Sequence, residues 1–328
     1  MRCISRAKSA ALVCVASISL FTGGCIGGKG ATPVTAYELK NYNQDLYQGK
    51  LYAEELCVAQ NDVALEGYTE DTKLHSAALF DLTGERVLYS YKAHERLYPA
   101  STTKIMTALL AIENANLDDQ VTISGNADAS SFPADAQVCG LAKGEVWTLR
   151  DLLGALLLYS GNDAATAIAE YVGGSEEAFV NMMNRRAQEL MANGTHFMNP
   201  HGLHDDNHYT TAYDLYLIFN ECIKHEDFVN IIQSEAYTAY YTDVDGNSQE
   251  ALFTPTNLYA QGEVDVPENV TIVGGKTGTT DEAGYCLILM EKDSSDNPYI
   301  SIVMGASEKP VLYEDMTSLI EAIPSGQQ

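Results

Sequence analysis

Basic side chains are scarce in this 328-residue chain: 19 Lys and Arg stand against 45 Asp and Glu, a formal net charge of -26 at pH 7. No Lys/Arg stripe is present to neutralise phosphates, which argues against nucleic acid as a partner. A membrane-spanning run is missing at the N-terminus too. Its apolar stretch, residues 10–21 (AALVCVASISLF), is shorter than the roughly 20 residues a permanent transmembrane helix needs. The seven cysteines are spaced too widely for a zinc knuckle or a CxxC redox pair, and no internal repeat is visible. What is present is a composition of 46% hydrophobic and 20% charged residues. That reads as a globular chain able to bury a substantial core in one large domain or two.

Arg2, Arg6 and Lys8 precede the apolar stretch, and Thr22-Gly23-Gly24-Cys25 follows it. This order reads as a secretory signal over residues 1–24. The small residues before Cys25 resemble the lipobox of bacterial lipoproteins, in which the Cys thiol is lipidated and becomes the new N-terminus. The family prefers Leu where Thr22 stands, so ordinary signal cleavage nearby is the alternative. In either case the mature chain is expected outside the cytoplasm. Residues 26–34 read as a flexible tether and 35–70 as a lead-in, leaving residues 71–328 as the folded domain. Cys57, Cys139, Cys222 and Cys286 are expected as buried free thiols, although an exported protein permits disulfides.

Two strand-like runs, LHSAALFDL and RVLYSYKA, open the domain around Thr83-Gly84. The next run, KIMTALLAIENA, is apolar nearly all round, as in a helix buried within the domain. Helices then fill the middle. Thr148 with Asp151, Ser175 with Glu176 and Glu177, and Thr211 with Asp214 mark three helix starts. Three β-rich runs, ENVTIVGGK, AGYCLILME and PYISIVMGA, return before a short final helix, EDMTSLIEAI. The order predicts an α/β fold: an antiparallel five-stranded sheet flanked by helices, with an all-helical lobe inserted over about residues 115–235. No second C-terminal domain is expected.

Ser101 opens the buried helix and Lys104 follows one turn later, on the same helical face and within hydrogen-bond reach. A serine there can use its own backbone N–H, in the positive field of the helix dipole, to stabilise an oxyanion. Lys104 can act as a base only if burial or a neighbouring cation lowers its pKa from about 10.4. Taken alone, Ser-x-x-Lys is equally a serine N-cap with a solvated lysine. Two further triplets change that reading: Ser160-Gly161-Asn162, at a break between helices, and Lys276-Thr277-Gly278, at the end of a strand.

SxxK, SxN and KTG in this order resemble the signatures of penicillin-binding proteins and serine β-lactamases. The longer strings PASTTKIMTALLAIE, LLLYSGNDAATAIAE, NPHGLHDDNHYTTAYDL and GGKTGTTDEAGYCL are similar to the D-alanyl-D-alanine carboxypeptidases among the low-molecular-weight members. The resemblance runs from about Leu74 to the final helix. It implies that Ser101 attacks the carbonyl between two D-alanines while Lys104 takes its proton. Ser160 would pass a proton to the departing amine, and Asn162 would hold the substrate amide and orient Lys104. Lys276 would supply positive charge near Ser160 and the substrate's terminal carboxylate. Thr277 and Thr279 would bind that carboxylate, Thr279 N–H would complete the oxyanion site, and Gly278 would leave room for substrate along the strand.

The implied substrates are peptidoglycan stem peptides ending in D-Ala-D-Ala, with β-lactams as covalent inhibitors that stay bound. Membrane attachment would come through lipid on Cys25, at the extracytoplasmic face. Neither a cofactor nor a metal is expected. A DD-endopeptidase, a β-lactamase and a non-catalytic β-lactam or muropeptide receptor share the three motifs. No E-x-x-x-N loop of the kind that activates water in class A β-lactamases follows SGN. A phosphate loop fails because Val270 stands where the motif over Lys276-Thr277 needs Gly. His201, His204 and His208 could attract zinc by spacing, but an ordered loop beside the lobe accounts for them.

Overall fold

The computed structural model describes residues 55–65 and 75–324. The signal segment, Cys25, the tether and most of the lead-in lie outside the described residues. The described chain falls in one compact unit.

Strands β1 (Ser76–Asp81) and β2 (Arg86–Tyr91) pair with the last three, β7 (Val270–Thr280), β8 (Gly284–Asp293) and β9 (Pro298–Ala306). The order is β2-β1-β9-β8-β7, antiparallel throughout. Pairing of β1 with β9 from Ser76↔Met304 to Asp81↔Tyr299 closes the domain across its whole sequence. Side chains alternate between two apolar layers, because successive residues of a strand face opposite sides. Cys286, Ile288 and Met290 of β8 join the layer containing Ile105 and Leu109, whereas Leu287 and Leu289 meet Leu312, Met316 and Leu319 of the C-terminal helix. Burial on both faces is why YCLILM reads as an unbroken apolar run.

Helix α1 (Lys104–Asn114) is buried from Lys104 to Ala111 and packs against α2 (Leu149–Gly154), α3 (Asn162–Gly173), α4 (Glu176–Glu189), α5 (Ala212–Cys222) and α6 (Glu226–Ile232), or their continuations. The three expected caps are present: Thr148 accepts from Asp151 N, Ser175 from Ala178 N and Thr211 from Asp214 N. The last helix, α7, runs over Lys309–Glu321 and starts five residues earlier than the EDMTSLIEAI run, with Pro310 in its first turn.

The insertion is not all-helical. A second antiparallel sheet of order β3-β4-β5-β6 joins Gln120–Thr122, Val146–Thr148, Tyr237–Thr242 and Ser248–Phe253. Its first two strands have three residues each, too few to show alternation. The β5–β6 hairpin also escaped the sequence reading, although Asp245-Gly246 beside the β-rich run YTAYYT could have signalled it. Trp147 of β4 stacks on Tyr241 of β5, centroids 4.2 Å apart, and its Nε1 donates to Glu145 Oε2. Cys57, Cys139, Cys222 and Cys286 are free thiols; Cys139 is half-buried and the other three are buried.

Candidate active site

A groove of about 900 Å³ is lined by Ser101, Ser160, Asn162, Thr277, Gly278 and Thr279, among others. Three separate pieces of chain meet there.

Ser101 lies in a tight 3-10 turn, Ala100–Thr103, that runs directly into α1. The NPHGL string holds this turn. Gly202, at φ +89, lies so close that a Cβ there would stand 1.9 Å from Ala100 O. Thr107 Oγ1 donates to Pro200 O at 2.6 Å, and His208 Nε2 meets Thr103 Oγ1 at 2.8 Å. Burial holds the His201 and His208 imidazoles down at about 3 and about 4, so both rings are neutral at neutral pH.

Lys104 is fully buried. Its Nζ lies 2.9 Å from Ser101 Oγ, 2.7 Å from Asn162 Oδ1 and 2.7 Å from His201 O. Burial first, and then the Lys276 ammonium, keep this amine well below the usual lysine range; Cys139 and Asp163 oppose the shift. A neutral amine has two N–H bonds and one lone pair. In that form Asn162 Oδ1 and His201 O can accept the two N–H bonds, and the lone pair is then free to take the Ser101 hydroxyl proton.

Ser160 ends a helix that has loosened. Helix α2 passes into a π turn, Ala155–Tyr159, and Ser160 then adopts the left-handed region at φ 72 and ψ 33. For a non-glycine residue that conformation costs about 1–2 kcal/mol, and π turns cluster at functional sites. Gly161 is extended, and Asn162 begins α3. Lys276 Nζ, buried on β7, lies 2.8 Å from both Ser160 Oγ and Thr277 O. Burial pulls its ammonium down to about 7.

Strand β7 is the outer strand of the five-stranded sheet, and its register with β8 continues from Lys276↔Ile288 to Thr280↔Gly284. Lys276-Thr277-Gly278 therefore lies within the strand instead of ending it, because pairing persists up to the turn at Asp281. Lys276 and Gly278 are buried, Thr277 is half-buried and Thr279 is exposed. A Cβ on Gly278 would come 2.9 Å from Pro99 O and 3.0 Å from Ser101 N. Absence of a side chain at 278 is thus what lets the strand lie against the Ser101 turn, a nearer reason than room for substrate. Thr277 Oγ1 pairs with Thr256 Oγ1.

Several contributors escaped the sequence reading. Asp163, fully buried at the start of α3, accepts backbone N–H bonds from Cys139, Gly140 and Leu141 at 2.8–3.1 Å. Asn162 N donates to Gln137 O at 2.8 Å. Together these fix a groove-lining loop that carries no motif. Thr256 and Lys309 also line the groove. The His201 carbonyl is invisible in sequence because every residue has one. His204 lines the groove, His208 meets Thr103 of the Ser101 turn, and His201 gives Lys104 its backbone carbonyl.

The family model described as D-alanyl-D-alanine carboxypeptidase matches residues 64–308. D-alanyl-D-alanine carboxypeptidase DacF of Bacillus subtilis is 34% identical over 251 residues, covering 75% of this chain and 61% of that protein. D-alanyl-D-alanine carboxypeptidase DacC of Escherichia coli is 31% identical, covering 74% of this chain and 59% of that protein. The chain thus spans about six-tenths of the length of these curated relatives. Among solved structures, the Streptomyces K15 DD-transpeptidase superposes with a TM-score of 0.71 at 28% identity, covering 78% of this chain and 98% of that one.

Proposed function

The chain belongs to the D-alanyl-D-alanine carboxypeptidase family, and on that premise we propose that it is a serine-type carboxypeptidase removing the terminal D-alanine from peptidoglycan stem peptides. The observation that carries this reading is the position of Lys104 Nζ, 2.9 Å from Ser101 Oγ with both N–H acceptors supplied by the protein.

Ser101 Oγ attacks the carbonyl between the two D-alanines as its proton passes to Lys104. The resulting oxyanion takes the Ser101 N–H at the start of α1 and the Thr279 N–H of β7. An amine leaves poorly unless protonated, and Ser160, in contact with Lys276, supplies the route for that proton. Lys276, Thr277 and Thr279 hold the departing carboxylate, and Asn162 holds the substrate amide. Water then releases the acyl-enzyme. β-Lactams acylate the same serine and remain attached.

Residues 71–328 form the catalytic domain in this proposal, and residues 1–24 form an export signal. Lipid on Cys25 would hold the enzyme at the extracytoplasmic face of the cell membrane. Among the described residues no helix is long and apolar enough to cross a membrane. The direct test is incubation of the mature domain with a pentapeptide ending in D-Ala-D-Ala, with free D-alanine assayed for wild type and Ser101→Ala. Release by wild type alone supports the proposal; equal release from both overturns it.

A further inference from the structure

Thr256 joins the two segments that carry Ser160 and Lys276. Its backbone N–H donates to Leu158 O at 3.2 Å, in the π turn that leads into Ser160. Its Oγ1 lies 2.5 Å from Thr277 Oγ1, one residue past Lys276 on β7. The chain on both sides of Thr256 is held. Phe253, at the end of β6, is buried, its ring centroid 6.3 Å from that of Trp147 and 5.9 Å from that of Tyr159. Asn257 caps the short turn Leu258–Gln261 by accepting from Tyr259 N at 3.0 Å. Leu258 N donates to the Tyr313 hydroxyl of α7 at 3.0 Å, and the Tyr259 hydroxyl meets Thr317 Oγ1 at 2.7 Å. Thr256 is therefore fixed at the groove wall by contacts that leave its hydroxyl to Thr277.

A threonine hydroxyl has one hydrogen and two lone pairs, whereas a carboxylate only accepts. Among the described residues each of these two hydroxyls has the other as its partner. One of them donates, and the other keeps its hydrogen for the groove. Thr277 stands between Lys276 and Gly278, and Gly278 abuts Ser101. It is thus the hydroxyl placed to meet a carboxylate on a ligand that reacts at Ser101. Were Thr277 the donor of the pair, its lone pairs would face that carboxylate and repel it. With Thr256 as donor, the Thr277 hydrogen is free, and hydroxyls in series polarise one another so that the outer one donates more strongly.

We propose that Thr256 is a positioning residue: by donating its hydroxyl hydrogen to Thr277 Oγ1, it turns the Thr277 hydrogen toward the carboxylate of the substrate. The inference rests on the carboxypeptidase reading and adds to it a residue outside the three motifs. Thr256 acts through Thr277 and does not itself touch the ligand.

The test compares acylation of the purified protein by benzylpenicillin, which carries a carboxylate, and by its methyl ester, which does not. The ratio of the two second-order rate constants reads carboxylate recognition; a general disturbance of the Ser101 turn lowers both rates and leaves the ratio in place. Thr256→Val keeps the branched shape without the hydroxyl and should lower the acid-to-ester ratio by about three- to tenfold, the scale of one neutral hydrogen bond. Thr256→Ser should keep the ratio. Thr277→Val should lower it further, and adding Thr256→Val to Thr277→Val should change it no more, because the first residue acts through the second. Complete labelling at long incubation checks that each variant is folded. A wild-type ratio near one, an unchanged ratio in Thr256→Val, or a further fall of equal size in the Thr277→Val background overturns the proposal. Failure of the carboxypeptidase reading is seen separately, as no release of D-alanine from a D-Ala-D-Ala peptide by wild type.

Discussion

Ser160 meets Lys276 only by leaving the helix in a left-handed conformation, its Oγ 2.8 Å from the lysine Nζ. In the proposed mechanism this serine, held at a local conformational cost, handles the proton of the leaving amine. Ser160→Ala should lower the rate of D-alanine release by about 10²-fold or more, the usual scale for losing an acid–base group. Single-turnover release is the readout. Acylation by a β-lactam, whose ring amine stays tethered, should fall less. An equal fall for both would assign Ser160 to the attack step instead.

Lys276 presses on the Lys104 pKa by charge. Removing that charge in Lys276→Met should let the Lys104 pKa rise, since a like charge disfavours the ammonium form. The base must be neutral, so the acid limb of the kcat/KM profile should move to higher pH. Lys276→Arg should leave that limb nearly in place. An unmoved limb in Lys276→Met would show that burial alone sets the base.

Asp163 is a test of the loop that carries no motif. Its carboxylate collects the N–H groups of Cys139, Gly140 and Leu141 inside the protein. Asp163→Ala leaves those donors unsatisfied and should cost about 2–5 kcal/mol of stability, measured by denaturant unfolding, because buried hydrogen bonds to a charge are expensive to break. Asp163→Asn should lose less. Both should raise KM for peptide, since Asn162 is tied to the same loop through Gln137.

How much of this was legible follows from what a sequence encodes locally. The outer five strands, the buried helix α1 and the three capped helices were readable, because periodicity and caps are properties of short windows. Ser101, Lys104, Ser160, Asn162 and Lys276 were singled out by three short motifs, and the fold brings their side chains within hydrogen-bond reach as two linked sets, Ser101–Lys104–Asn162 and Ser160–Lys276. The second sheet was missed altogether: β3 and β4 are three residues long, too short to show a period, and the six-residue strands β5 and β6 were passed over. His201 was read only as an ordered loop residue, since what it gives Lys104 is a backbone carbonyl. Asp163 looked like any acid in a first helical turn, and its service to residues 139–141 exists only in three dimensions.

Glu291 offers a test away from the site. It is fully buried on β8, and burial pushes its carboxyl well above the usual range. The protonated form is therefore favoured in the folded protein. Its contribution is complete below the unfolded pKa, about 4.3, and is lost as pH rises toward the folded value. Glu291→Gln should remove that slope and leave the variant relatively more stable at pH 7–8 than at pH 4, compared with wild type. Urea unfolding across that range gives the comparison; parallel curves would show that Glu291 does not change its protonation on unfolding.

The central claim is that Ser101, activated by Lys104, forms the acyl-enzyme. Intact-mass analysis after incubation with benzylpenicillin, followed by mapping of the modified peptide, tests it most directly. The account predicts one long-lived adduct on Ser101, absent in Ser101→Ala and formed far more slowly in Lys104→Met. An adduct on another residue, or one that persists in Ser101→Ala, would contradict it.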